Sequence, residues 1–261
     1  MFETARYEAR RKIRGTLILT AGVGAYAGFI VWYFTVLEGV DYEDVFADLP
    51  PAMLEAFGIE NLSTIEGFLG AQLFSFVWLL GLGLYFAYVA GGTVAGDIET
   101  GRIDLLVSLP VARSRLLVEK FAALFVPMLA VNVLGGPIIY VFVVAIGESI
   151  PASHLALTHL LSIPFFLVCG GIGLVFSVAA NRATVAERGA VATVFVLYLV
   201  ESVVGGADEY DWIQYLSPTQ YYDPTPTLID GSFDPIDSAI LLVAFAGLIL
   251  LSVAAFERRD L

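Results

Sequence analysis

The sequence predicts an all-α, polytopic membrane protein of six transmembrane helices, with both the N and C termini cytoplasmic. Three observations predict it. The 261 residues are 58% hydrophobic, with a mean hydropathy of +0.83, more apolar sequence than a soluble domain of this length carries. Six apolar runs approach or exceed the length of about 20 residues that a helix needs to cross a bilayer. The 13 Lys and Arg residues cluster at the two termini and around alternate turn-arounds between those runs.

The runs cover about 16–37, 71–95, 115–146, 154–180, 187–205 and 236–256. Ahead of the first stand Arg6, Arg10, Arg11, Lys12 and Arg14. Arg102, Arg113, Arg115 and Lys120 surround the second turn-around, Arg182 and Arg188 the fourth, and Arg258 and Arg259 follow the last run. Connections 38–70, 147–153 and 206–235 contain no Lys or Arg. Cytoplasmic loops hold the positive charge of a membrane protein, so the basic connections are expected inside and the others outside. Basic residues at both ends then require an even number of spans. The acids sort the other way. Glu38, Asp41, Glu43, Asp44, Asp48, Glu55, Glu60 and Glu66 crowd the first outer connection, and Asp208, Glu209, Asp211, Asp223, Asp230 and Asp234 the last. The third run is too long for the hydrocarbon layer alone, so it tilts or protrudes.

The chain reads as a single membrane domain, 1–261, with three distinctive parts: an N-terminal segment 1–15, a charged segment 96–113 and an outer connection 206–235. The N-terminus resembles a signal peptide, but its apolar run is longer and no small-residue cleavage site follows. It is read as an uncleaved first span. Residues 2–14 before it suit either a helix on the inner membrane surface or a plain basic anchor. Stretches 45–59 (VFADLPPAMLEAFGI) and 210–222 (YDWIQYLSPTQYY) mix apolar, aromatic and acidic residues. They are expected to rest on the outer leaflet or fold back into it, or to form an ordinary aromatic belt.

Several function classes are excluded or disfavoured. Net charge is −13, with 26 acids against 13 bases, which excludes a basic nucleic-acid surface. Such an acidic, Lys-poor chain suits a source living in high salt, or simply an acidic outer face. A phosphate-binding loop needs G-x-x-x-x-G-K-[ST]; Lys12 follows Arg11 and Lys120 follows Glu119, so neither completes it. No His-Glu-x-x-His or Gly-x-Ser-x-Gly occurs. The single Cys169 lies in an apolar run, without disulfide partner or metal spacing. His154 and His159 are five apart, a poor helical pair for zinc. No catalytic, cofactor or metal residues are expected.

Within the spans, Glu201 is the acid nearest an interior, where ionisable groups are costly; the Gly205–Gly206 pair close after it favours a place at the outer end of span 5. Asn132 is expected to hydrogen-bond between helices. Pro127, Pro137 and Pro164 are expected to kink spans 3 and 4. Gly170, Gly171 and Gly173 permit close helix approach.

The charged segment GDIETGRIDLLVSLPVARSRLLVEKF (96–121) stands out between two apolar runs. A turn-around needs about four residues, and this one uses about eighteen. Gly96 and Gly101 permit a bend. Ile98, Leu105, Leu106 and Leu109 fall on one helical face, with Asp97, Glu99, Arg102 and Asp104 on the rest. Pro110 ends the helix, and Ser114 suits the cap of span 3. A short amphipathic helix at the cytoplasmic surface follows; it either pads the lipid or docks a partner.

These residues resemble the ABC-2 type transporter permeases. The resemblance rests on Glu99, Gly101, Leu105, Leu106, Pro110, Arg113 and Lys120, on Leu216-Ser217-Pro218 before the last span, and on the ending Phe256-Glu257-Arg258-Arg259-Asp260-Leu261. It covers the whole chain. It implies a permease subunit that pairs with a second permease and with separate ATP-binding subunits, which supply ATP and Mg. It implies export, with 96–110 as the coupling element. Asp97, Glu99, Gly101, Arg102, Leu105, Leu106, Pro110 and Arg113 are then the partner-coupling residues, Glu99 and Arg102 either contacting the ATPase or pairing with each other at i, i+3. The rival classes are a non-transporting membrane anchor of an ATPase and an intramembrane hydrolase.

Overall fold

The structure, a computed structural model, describes residues 3–37, 62–107, 111–204 and 211–259. Stretch 45–59 and Pro110 therefore lie outside the described residues. The rest is helical, with no strand among the described residues. Helix α1 is Glu3–Leu37, α2 is Ile65–Glu99, α3 is Arg102–Val107, α4 is Arg113–Ala122 and α5 is Phe125–Ala145. Then come α6, Ala152–Ala179, and α7, Ala183–Val204. Two 3₁₀ turns, Asp211–Leu216 and Pro218–Tyr221, lead to α8, Pro224–Asp230, and α9, Pro235–Glu257. Six helical stretches are long and apolar enough to cross a membrane, in the order the sequence predicts. The chain is a multi-pass membrane protein.

Local chemistry sets the helix boundaries. Thr64 caps α2 by accepting from the Gly67 N–H at 3.2 Å. Asp223 and Asp234 cap α8 and α9 the same way, at 3.0 and 2.8 Å, each followed by a proline in the first turn. Gly101 ends the turn after α2 with φ +69°, a left-handed conformation that favours glycine.

Three details differ from the sequence reading. The basic residues 3–14 and the first span form one uninterrupted helix, where a helix lying on the surface needs a corner before it turns inward. Within this segment Glu8 stands beside Lys120 of span 3 at 3.6 Å, which favours continuing straight. Second, Gly96 does not bend the chain, because α2 runs on to Glu99. Third, Ser114 caps nothing: α4 begins at Arg113 after Ala112, with no side-chain cap.

The long third run breaks at Ala123–Leu124, between α4 and α5. Pro127 has no N–H to give the Ala123 carbonyl, and its ring crowds that carbonyl. The 21 residues of α5 rise about 32 Å at about 1.5 Å each, close to the hydrocarbon thickness of about 30 Å. By length, α4 is the part that protrudes. Pro137 and Pro164 lie inside continuous helices. From Gly70 to Leu82, α2 has the wider π-helical turn, and Ser75 Oγ donates to the Gly70 carbonyl at 3.0 Å.

Helix α6 is the core of the bundle. It packs against α2, α7 and α9, and also touches α5 and α8; two-thirds of its apolar window is buried, against 17% for α7 and α9. Apolar side chains gain little by leaving lipid for protein, so packing here rests on close contact and polar links. Ser177 Oγ of α6 accepts from the backbone N–H groups of Val94 (2.8 Å) and Ala95 (3.1 Å) on α2. Gly173 makes this approach possible: a methyl there would sit 2.3 Å from the Ala87 carbonyl oxygen. Gly173→Ala is expected to destabilise the solubilised protein by about 1–3 kcal/mol, whereas Gly15→Ala, with nothing within 4 Å of the added carbon, leaves melting unchanged. Equal melting of both variants overturns the close-contact account.

Candidate functional site

The charged residues of the sequence converge at one end of the bundle. Asp97, on the last turn of α2, is 2% exposed. Lys120 of α4, 3% exposed, forms a charge-assisted hydrogen bond with its carboxylate. Arg102, which opens α3, reaches the other carboxylate oxygen at 2.5 Å. Glu8 of α1 adds a second acid 3.6 Å from Lys120. Two acids and two bases thus join α1, α2, α3 and α4 in a set of zero net charge. Buried charges are stable only when paired in this way.

Neighbouring contacts extend the set to the other helices. The Glu99 carboxylate accepts from the Ala183 N–H at 2.9 Å, so the end of α2 occupies the open N-terminus of α7. Arg259, after α9, donates to the carbonyls of Val178 and Ala180 and to Asn181 Oδ1. The two carbonyls are orphan acceptors at the end of α6. Its own carbonyl accepts from Arg113 at 2.7 Å. Partial burial lowers the Arg259 pKa from the ordinary arginine value. Arg115 pairs with Glu119 one turn on, at 2.8 Å. A cavity of about 500 Å³ opens beside this network, lined by Glu8, Arg11, Lys12, Asp97, Arg102 and Glu187 among others.

The structure thus redistributes the residues singled out in the sequence. Asp97 faces inward, not outward on an amphipathic surface. Glu99 caps α7. Arg102 pairs with Asp97, five residues back, and not with Glu99 at i, i+3. Ile98 lies on α2 and Leu105 on α3, separated by the Gly101 turn, so one helical face does not carry both. On α3, Ile103 is buried, while Asp104 and Leu105 face out, Leu105 with 72% exposure. Leu106 lies in the same helix.

The opposite end is built by the chain after α7. Glu201 sits in the last turn of α7, half-buried, and accepts from Thr219 Oγ1 at 3.4 Å. Tyr222 is 3% exposed and donates its hydroxyl to the Thr158 carbonyl at 3.0 Å. Burial first, then the Asp223 carboxylate, pushes the Tyr222 hydroxyl well above its ordinary pKa. This connection therefore folds back onto α6, while Trp212 and Tyr215 stay exposed. Between the ends, Asn132 does link helices: its Oδ1 accepts from Ser162 Oγ of α6 at 2.8 Å, and Ser162 Oγ accepts from Trp78 Nε1 of α2 at 3.3 Å.

Sequence reasoning missed Glu8, Ser162 and Ser177. Glu8 is the one acid at the centre of the basic N-terminal segment 6–14, a signal for an ion pair. Ser177, one small hydroxyl in an apolar run, carries no comparable signal.

A family described as "ABC-2 family transporter protein" matches residues 18–261 of the chain. The chain is also similar to the uncharacterized protein YhcI of Bacillus subtilis (strain 168), at 24% identity over 212 residues. That match covers 69% of this chain and 64% of the relative, so the chain spans less than two-thirds of the relative's length.

Proposed function

Because the chain belongs to the ABC-2 family of transporter proteins, we propose that it is the permease subunit of an ABC transporter and that the charged end is its cytoplasmic coupling site. It pairs with a second permease subunit, and ATP and Mg bind to a separate ATP-binding subunit that docks beneath. The positive-charge rule supports the orientation: Arg102, Arg113, Arg115, Lys120 and Arg259 all gather at that end. Export is the direction that the family resemblance implies.

One observation carries the coupling assignment. Helix α3 presents Asp104 and Leu105 outward while its first residue, Arg102, grips the buried Asp97. A push on α3 reaches α2 directly, α4 and α1 through Lys120 and Glu8, and α7 through Glu99. Asp104 and Leu105 then belong to the docking face. Asp97, Glu99, Gly101, Arg102 and Arg113 transmit the motion, and such a lever works by having discrete packed arrangements.

Co-purification with the ATP-binding subunits of its source tests this reading. Leu105→Glu is expected to reduce the associated ATPase at least fivefold, with membrane insertion and monodispersity unchanged. Undiminished association overturns the docking role of α3. Association without substrate movement in proteoliposomes overturns the permease and makes the chain an anchor.

A further inference from the structure

The cavity of about 500 Å³ beside the charged end is lined by more charge than the ion-pair network uses. Glu8, Asp97, Arg102 and Lys120 balance one another, and Glu99 is taken up by the Ala183 N–H. Arg11 and Lys12 of α1 and Glu187 of α7 line the same cavity. Among the described residues, none of these three has an oppositely charged side chain within ion-pair distance. The neighbour of Glu187 is the Tyr88 hydroxyl, a neutral group. Its Oε1 rests against Gly92, where an added carbon would stand 2.6 Å away.

The cavity is therefore bipolar, cationic on the α1 wall and anionic on the α7 wall. The two walls do not pack against each other, and one face of α2 forms the floor between them. Arg11 is exposed, and Lys12 and Glu187 are half-buried, so a molecule in the cavity can touch all three. Lys12 stands one turn inward of Glu8, and Glu187 one turn inward of Ala183. Both charges thus lie about 6 Å inside the charged end. The floor reaches deeper: Glu99 to Tyr88 rises about 17 Å along a span, and Tyr88 is 48% exposed. The cavity is polar near the membrane surface and open to hydrocarbon at its deep end. Opposite charges that face one space at this depth without meeting are costly, and a ligand carrying the complementary charges relieves both.

We propose that this cleft binds the head of a zwitterionic phospholipid of the phosphoethanolamine type, its phosphate against Arg11 and Lys12, its ammonium against Glu187, and an acyl chain leaving past Tyr88. Arginine and lysine are strong phosphate partners, and basic pockets between transmembrane helices take lipid heads. The Glu187 carboxylate selects an ammonium that has N–H groups to donate. A quaternary ammonium calls for an aromatic cage, and Tyr88 is the one aromatic among the described residues that line the cavity. The site depends on the helices lying in a membrane and not on coupling to an ATPase.

The test uses the full chain, delipidated in detergent and titrated with phosphatidylethanolamine or with phosphatidylcholine of the same acyl chains. Bound lipid is counted by native mass spectrometry. The ethanolamine lipid is expected to bind at least fivefold more tightly than the choline lipid. Glu187→Gln keeps the shape without the charge. It is expected to bring that preference below twofold, with choline-lipid binding and melting unchanged. Arg11→Ala/Lys12→Ala is expected to weaken both lipids at least fivefold, because both carry the phosphate. Soluble phosphoethanolamine in tenfold excess is expected to leave the lipid in place. Equal binding of the two lipids by the parent chain overturns the proposal, as does a full preference in Glu187→Gln. Displacement by soluble phosphoethanolamine overturns the lipid and makes the cleft a site for a soluble phosphate ester. None of these results bears on ATPase association, so this site and the coupling site fail separately.

Discussion

An Asp97→Ala variant will be less stable than the parent by about 3–5 kcal/mol, the usual cost of removing one partner of a buried ion pair. The loss comes from what remains. Lys120 is 3% exposed, and without Asp97 its nearest acid is Glu8 at 3.6 Å, a contact beyond hydrogen-bond distance. Arg102 also loses its carboxylate. The double variant Asp97→Ala/Lys120→Met removes both buried charges and keeps an apolar stem in place of the lysine. It is expected to recover more than half of the loss, because replacing a whole buried pair by apolar groups is often close to neutral. Melting of the detergent-solubilised protein measures all three. If the double variant melts below Asp97→Ala, the two side chains act independently and the pair is not the link between α2 and α4.

Arg259→Ala is the second change with a large expected effect. One guanidinium closes the end of α6 by donating to Val178, Ala180 and Asn181. Hydrogen bonds to a charged group contribute about 1.5–3 kcal/mol each. Arg259 is half-buried, so a total loss of about 2–3 kcal/mol is expected. The fork shape is the source of the effect, since a lysine carries the charge without the planar donors. Arg259→Lys should therefore recover less than half of the lost melting temperature. Protease cleavage after α9 should also quicken in Arg259→Ala, because its end loses its hold on α6. Full rescue by lysine would show that charge alone suffices.

The six spans were legible because two independent signals agreed on them, the length of the apolar runs and the alternation of basic connections. Asn132 was legible as a link between helices because an amide in an apolar run has few other uses. The inward turn of Asp97 and Glu99 was not legible. The buried partner of Asp97, Lys120, is 23 residues away and that of Glu99 is 84 away. Whether a charge at a helix end faces water or a neighbour depends on which helix packs beside it, and local pattern does not say. The start of α1 stayed open for the same reason: its basic residues suited either a membrane-surface helix or a plain anchor, and nothing local shows that Glu8 meets Lys120. The joint in span 3 was half legible: Pro127 announced a kink, but the exact turn at Ala123–Leu124 follows from the bond that the proline cannot give the Ala123 carbonyl, which accepts instead from the Val126 N–H at 3.4 Å.

That joint has a consequence for how the protein meets membranes of different thickness. A single rigid rod of 33 residues would have to tilt along its whole length when the bilayer thins, and would drag Lys120 with it. Divided at Ala123–Leu124, α5 alone leans to match the lipid. Meanwhile α4 keeps its place against Asp97 and Glu8. Hydrophobic mismatch is absorbed at one swivel, and the geometry of the charged end is insulated from the composition of the bilayer around it.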